Sequence, residues 1–422
     1  MPPMLRPLRT GQLRTSLFLS CVLFATLLCS AAVAASTPQF DVDYRVAFLP
    51  EDGEAEVTIT IRPDDARVSR LVFTMPEERY SHIEGDGDIE RDGEQLRWQP
   101  PRKGGSLDYR YRIDKKRSNG AYDARITKDW VIVRGDHLVP SARVTATRDA
   151  RSNARLYLDL PAGWSHADTP WRTAPDGEGF IVVNPGRVLA RPTGWMIAGD
   201  IGTRRDTVEG MEISVAAPKG LSTHRMDLLA MVTATAPVML DAFGALPEKI
   251  LVVRAGDPMW RGGLSGPRSL WMHADRPLIS ENGSSTLMHE VVHVVTRIRG
   301  AKGDDWIAEG IADYYGMEML HRAGLLSQAR FDKAIAWMRR HGRDIKTLHA
   351  TNSSGPRSAR AVALFADLDK EIRERSKGRN SLDEVARELM RDGERVSTAD
   401  LRQAAEAAIG APSKTLKTSL LD

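Results

Sequence analysis

Two histidines four residues apart, with a glutamate directly after the first, stand in the stretch Leu287-Met288-His289-Glu290-Val291-Val292-His293-Val294-Val295. This H-E-x-x-H pattern lies inside an apolar run of helix length, and residues four apart on a helix share a face. His289 and His293 therefore present imidazoles about one turn apart, a spacing that suits one Zn²⁺ held at roughly 2.0–2.1 Å. Glu290 lies beside the pair, where it can take a proton from a water that such an ion activates. Ser284 and Ser285 precede the run and can cap its N-terminus.

A third ligand follows in Trp306-Ile307-Ala308-Glu309-Gly310-Ile311-Ala312-Asp313-Tyr314-Tyr315. Fifteen residues separate His293 from Glu309, and Gly300 and Gly303 supply a turn between the two segments. The second segment can then return antiparallel to the first and bring Glu309 to the ion. The result is a His₂Glu set with an open fourth position, as catalytic zinc sites have, where structural sites close with four protein ligands. An acid embedded among Trp306, Ile307, Ile311 and Tyr314 is poorly explained as a solvated helix residue. Asp313 sits one turn further on, where a carboxylate can hold the far N–H of a zinc-binding imidazole.

The elements around these residues change character once along the chain. From about Phe40 to Pro218 the apolar period is two: Ala55, Val57, Ile59 and Ile61 alternate with polar residues, as do Leu107, Tyr109 and Tyr111, and Leu156, Leu158 and Leu160. Short strands between Gly, Pro and Asp turns predict an antiparallel β-sandwich over residues 36–219. From His224 the spacing becomes helical (Leu228, Leu229, Val232, later Val385 and Leu389), with short strands at Ile250–Val253 and Leu270–Met272. The expected class is α+β: a β-sandwich, then a mainly helical zinc-binding domain over 220–422 with a small edge sheet.

H-E-V-V-H followed by W-I-A-E-G-I-A-D-Y-Y resembles the gluzincin metallopeptidases of the thermolysin clan, most closely the glycyl aminopeptidase family. The resemblance implies an N-terminal β-domain, a thermolysin-like catalytic domain, one zinc ion per chain and a peptide or protein substrate. Leu158-Asp159-Leu160-Pro161-Ala162-Gly163-Trp164, His224-Arg225-Met226-Asp227-Leu228 and Ser381-Leu382-Asp383-Glu384-Val385 extend the likeness patchily over residues 40–415. A PDZ domain, common in that family, is not expected, because the chain after Leu320 reads as helices.

The sequence departs from the family in three places. The gap between His293 and Glu309 is short. Ser265, in Gly262-Gly263-Leu264-Ser265, stands where relatives carry an acid that holds a substrate's free amine; these four residues form the candidate substrate strand. The transition-state tyrosine is missing before Ala361, which leaves Tyr314, Tyr315, His349, Arg357 and Arg360 as alternative donors to a developing oxyanion. The expected activity is zinc-dependent, aminopeptidase-like hydrolysis. The alternative is a zinc-binding relative without turnover that holds peptides or envelope proteins in its cleft.

The 422 residues carry 59 Lys plus Arg against 56 Asp plus Glu. The excess is Arg6, Arg9 and Arg14, so the chain from residue 36 on is formally neutral and gives no charge-based reason to expect nucleic acid or an anionic membrane. Those arginines precede the apolar run Leu17–Ala35, which ends in small residues; residues 1–35 read as a secretory signal, with an uncleaved anchor as the alternative. No second run of bilayer length follows. Cys21 and Cys29 both lie in this segment, which excludes disulfides and thiolate-ligated metal from the rest. An exported protein, periplasmic or extracellular, is expected.

Overall fold

The computed structural model describes residues 37–422 except 222, 223, 392 and 394. The expected signal segment lies outside the described residues.

The alternating stretches form the predicted strands. In Glu54–Pro63 the residues Ala55, Val57, Ile59 and Ile61 are buried in turn. They belong to a six-stranded sheet ordered Phe180–Val182, Arg151–Asp159, Gln39–Leu49, Glu54–Pro63, Gly105–Arg112, Tyr80–Gly85. A four-stranded sheet of Ala142–Ala146, Val68–Thr74, Gln95–Gln99 and Asp88–Asp92 shares its apolar core, with Leu71, Phe73 and Trp98 packed in one cluster with Val42, Tyr44, Ile59 and Tyr109. The pairing is not purely antiparallel as expected: Gln39–Leu49 runs parallel to Arg151–Asp159. A third sheet, Lys115–Lys116 to His166–Asp168, has Trp130–Arg134 and Trp195–Gly199 at its centre, and a single helical turn, α1 (Gly135–Leu138), follows Trp130–Arg134.

One sheet crosses the boundary expected at 219–220. Ile201–Val208 and Met211–Pro218 continue into Lys249–Ala255, Ser269–His273 and Gly263–Gly266 as one five-stranded sheet, with Met211–Pro218 parallel to Lys249–Ala255. The sequence pattern changes there because a crossover helix begins, not because the sheet ends. Inside the join, buried Lys249 lies 3.0 Å from both Asp168 and Glu212, and Arg205 reaches Asp168 at 2.9 Å.

Among the described residues seven longer helices follow: α2 (Arg225–Phe243), α3 (Thr286–Thr296), α4 (Asp305–Arg322), α5 (Gln328–His341), α6 (Pro356–Arg375), α7 (Leu382–Met390) and α8 (Thr398–Ile409). Among the described residues α2 alone is long and apolar enough to cross a membrane, and half of it is buried. Its Leu228, Leu229 and Val232 pack in the core that also takes Val291 and Val292 of α3 and Ile307 and Ile311 of α4. Capping boxes start α7 (Ser381 with Glu384) and α8 (Ser397 with Asp400).

Glu371 of α6 anchors the C-terminal segment by accepting bonds from the Lys414 and Thr415 backbone N–H groups and the Ser413 hydroxyl. Burial pushes its carboxyl up, but these donors outweigh burial and hold it at about 2. A carboxyl depressed in the folded state stabilises above its unfolded pKa and loses that contribution as pH falls through the folded value. Glu371→Gln is expected to lower the urea midpoint at pH 7, with the gap to the parent closing as pH falls from about 4.5 to about 2. A gap independent of pH would contradict this account.

Candidate metal centre

The α3 helix starts where expected: the Ser285 side chain accepts the Met288 N–H at 3.2 Å. The turn through Gly300 and Gly303 reverses the chain into α4. The pairing proves the antiparallel run, because His289 meets Asp313 while His293, one turn later, meets Glu309, one turn earlier. The helices approach closely at Gly316, where an added Cβ would lie 3.3 Å from the His289 nitrogen.

The structure brings together the three residues that the spacing singled out. The Nε2 atoms of His289 and His293 are 3.1 Å apart, and each lies 3.4 Å from a different Glu309 oxygen. Ligands roughly 2.0–2.1 Å from a tetrahedral ion are separated by about 3.3 Å, close to each of these separations, and one ligand atom from each of the three residues lies within 4.8 Å of the others. The Nδ1–H of His289 donates to Asp313 at 2.7 Å, which leaves its Nε2 with a lone pair facing the other acceptors. Acceptors crowded within 4.8 Å of one another fit a cation. The residues present therefore fit zinc.

The charges of these groups are strongly coupled. Burial pushes the His289 ring down, but Asp313 and Glu309 outweigh it and raise the ring well above the ordinary histidine range. Burial pushes Glu309 up, yet the two imidazoles hold it well below the usual carboxylate range. Asp313 is likewise held down by His289 and by Ser358, whose hydroxyl donates to its second oxygen. Ser358 was not singled out from sequence, since nothing in its neighbourhood marks it as a partner of Asp313. Glu290 is nearly buried and its carboxyl is pushed up by burial, with His289 and His293 opposing.

Beside Glu290 runs Gly263–Gly266, the edge strand of the five-stranded sheet. Gly263 passes so close that a Cβ there would lie 2.8 Å from a Glu290 oxygen and 2.6 Å from the Thr286 methyl, so the strand can run here only without a side chain. Gly262 sits under the Trp260 ring, Leu264 is partly exposed, and the Trp195 indole N–H takes the Leu264 carbonyl at 2.8 Å.

Among the described residues no hydrogen bond or ion pair joins the five alternative oxyanion donors to the triad. Tyr314 donates to Asp369 and Tyr315 to Asp383, both inside the core. The His349 ring pairs with Asp304 at 3.0 Å, at the start of α4. Arg357 reaches the Thr347 carbonyl at 3.4 Å, and Arg360 faces a cavity with Asp367 and Glu371 on the other flank of α6. His273 is fully buried in the strand Ser269–His273.

No family model matches the sequence, and no curated protein does. Among solved structures, an aminopeptidase N family protein from Idiomarina loihiensis aligns with a TM-score of 0.60 at 13% identity, over 90% of this chain and 74% of that one. An M1 zinc metallopeptidase from Deinococcus radiodurans aligns in a mutant form at 0.59, over 91% of this chain and 94% of that one. Its unmutated form aligns at 0.55, over 91% and 93%; both share 16% identity with this chain. The chain shares the fold of these three structures. A mixed α+β architecture like theirs is thus present although overall sequence likeness has nearly vanished, and α3, α4 and the edge strand are the parts of it that frame the triad.

Proposed function

We propose that this chain is a zinc-dependent peptidase, acting outside the cytoplasm, with His289, His293 and Glu309 as ligands and Glu290 as the base. The observation that carries the reading is the set of 3.1 and 3.4 Å separations among the three ligand side chains, with Glu290 beside them against an edge strand. When bound, zinc supplies a Lewis acid that polarises the scissile carbonyl and lowers the pKa of a water to about 7. Glu290 takes the proton from the attacking water and returns it to the leaving nitrogen. Asp313 and Ser358 fix the His289 ring by its Nδ1–H. An extended peptide aligns beside Gly263–Gly266 and pairs with those backbone groups not already taken by Trp195.

Chelator-treated protein is expected to lose hydrolysis of a mixed peptide library and to regain it with one equivalent of Zn²⁺ per chain. Cleavage of N-acetylated peptides marks an endopeptidase; cleavage restricted to free amines marks an aminopeptidase despite Ser265. One observation favours a second reading: with no bond found between the five oxyanion donors and the triad among the described residues, a relative without turnover would keep the zinc and only capture peptides. Stoichiometric zinc without cleavage of any peptide selects that reading.

A further inference from the structure

The wall of the site beyond His293 is strongly basic. A cavity of about 340 Å³ is lined there by His293 and Ser265 together with Arg134, Arg187, Arg268, Arg297 and Arg299, and no Asp or Glu lines it. Two of these arginines are engaged: Arg134 pairs with Asp136 at 3.0 Å, and Arg268 lies 3.7 Å from Glu248 and over the Trp171 ring. Arg187, Arg297 and Arg299 are exposed and have no carboxylate partner among the described residues. Their charge stands out in a body that is formally neutral from residue 36 on.

The position matters as much as the sign. Arg297 lies four residues after His293, one turn beyond the ligand, so a group bound there is close to the scissile bond. Arg268 and Arg297 also occupy left-handed backbone positions, with φ of 55° and 53°, where glycine is the unstrained residue. The chain keeps a long cation at both. Ser265, on the same wall, offers no negative charge for an ammonium group. Such a cavity repels a free N-terminus and suits a carboxylate, to which guanidinium binds by paired N–H donors.

The geometry points to a peptide substrate with an acidic side chain within a few residues of the scissile bond, held by the Arg187, Arg297 and Arg299 cluster beside His293. The inference rests on the peptidase reading for its cleavage step, and two independent readouts separate the two. In the first, the zinc-loaded full protein receives peptide sets differing only in Glu, Gln or Lys at each position near the cleaved bond, acetylated at the N-terminus and amidated at the C-terminus. Glu is expected to exceed Gln by about ten- to a hundredfold in kcat/KM. The ratio falls to about one in an Arg187→Ala/Arg297→Ala double variant. A Gln series with free C-termini, cleaved as well as the amidated Glu series, would assign the cavity to a terminal carboxylate instead and overturn the side-chain inference.

In the second readout, fluorescence anisotropy follows labelled Glu and Gln peptides on zinc-loaded Glu290→Gln protein. Selective binding of the acidic peptide without turnover by the parent keeps the inference and removes the peptidase reading. Cleavage with equal or greater preference for Gln or Lys keeps the peptidase reading and overturns the inference. An oligonucleotide that displaces the acidic peptide at lower concentration than unlabelled acidic peptide also overturns it.

Discussion

Replacing Glu290 by glutamine is expected to lower kcat/KM by about 10²- to 10⁴-fold while zinc stays bound at one equivalent. The range is the usual contribution of a positioned general base, about 3–5 kcal/mol of barrier. Glutamine keeps the shape and fits the same space beside Gly263, which has no room for a larger change. The two imidazoles and Glu309 are untouched, so metal analysis separates loss of chemistry from loss of the ion. Full activity in Glu290→Gln would remove the base from the mechanism.

Glu309→Ala acts on the other half of the machinery. Removing one of three ligands is expected to weaken zinc binding by at least about 100-fold, since losing even an outer partner of a ligating histidine costs 10- to 100-fold. Competition with a fluorescent chelator measures it directly. The fold should survive, because Glu309 lies at the surface of the cleft while the neighbouring Trp306, Ile307 and Ile311 keep α4 in the core. Unchanged zinc affinity with normal circular dichroism would show that Glu309 is no ligand.

Much of this site was legible because its parts are local. Ser285, His289, Glu290 and His293 stand within nine residues, and helical phase alone relates them. Glu309 was visible as an acid in an apolar helix, and Asp313 as its neighbour one turn on. The same phase argument, taken further, separates Tyr314 from the site: five residues from Glu309 it points well away from that face, at about 100° per residue. What phase could not supply was the identity of the distant partners. Asp369 and Asp383, which claim the two tyrosine hydroxyls, lie 55 and 68 residues downstream. Ser358 and, among the arginines of the basic cavity, Arg134, Arg187 and Arg268 come from segments whose approach depends on the whole packing.

The burial of His273 has a related cause. The strand Ser269–His273 lies between Lys249–Ala255 and Gly263–Gly266 with both faces buried, so a histidine after Leu270-Trp271-Met272 goes inside with them.

The sheet that spans residues 201–273 has a practical consequence for anyone dissecting the protein. A fragment beginning at 220 would strip two strands from it and leave Lys249–Ala255, whose seven residues are all buried, as a naked apolar border. Such a border templates self-association. The same cut would orphan the Lys249 ammonium from Asp168 and Glu212. The zinc-binding half is thus expected to precipitate when expressed by itself from residue 220, whereas truncation upstream of Ile201 would at least leave its sheet whole.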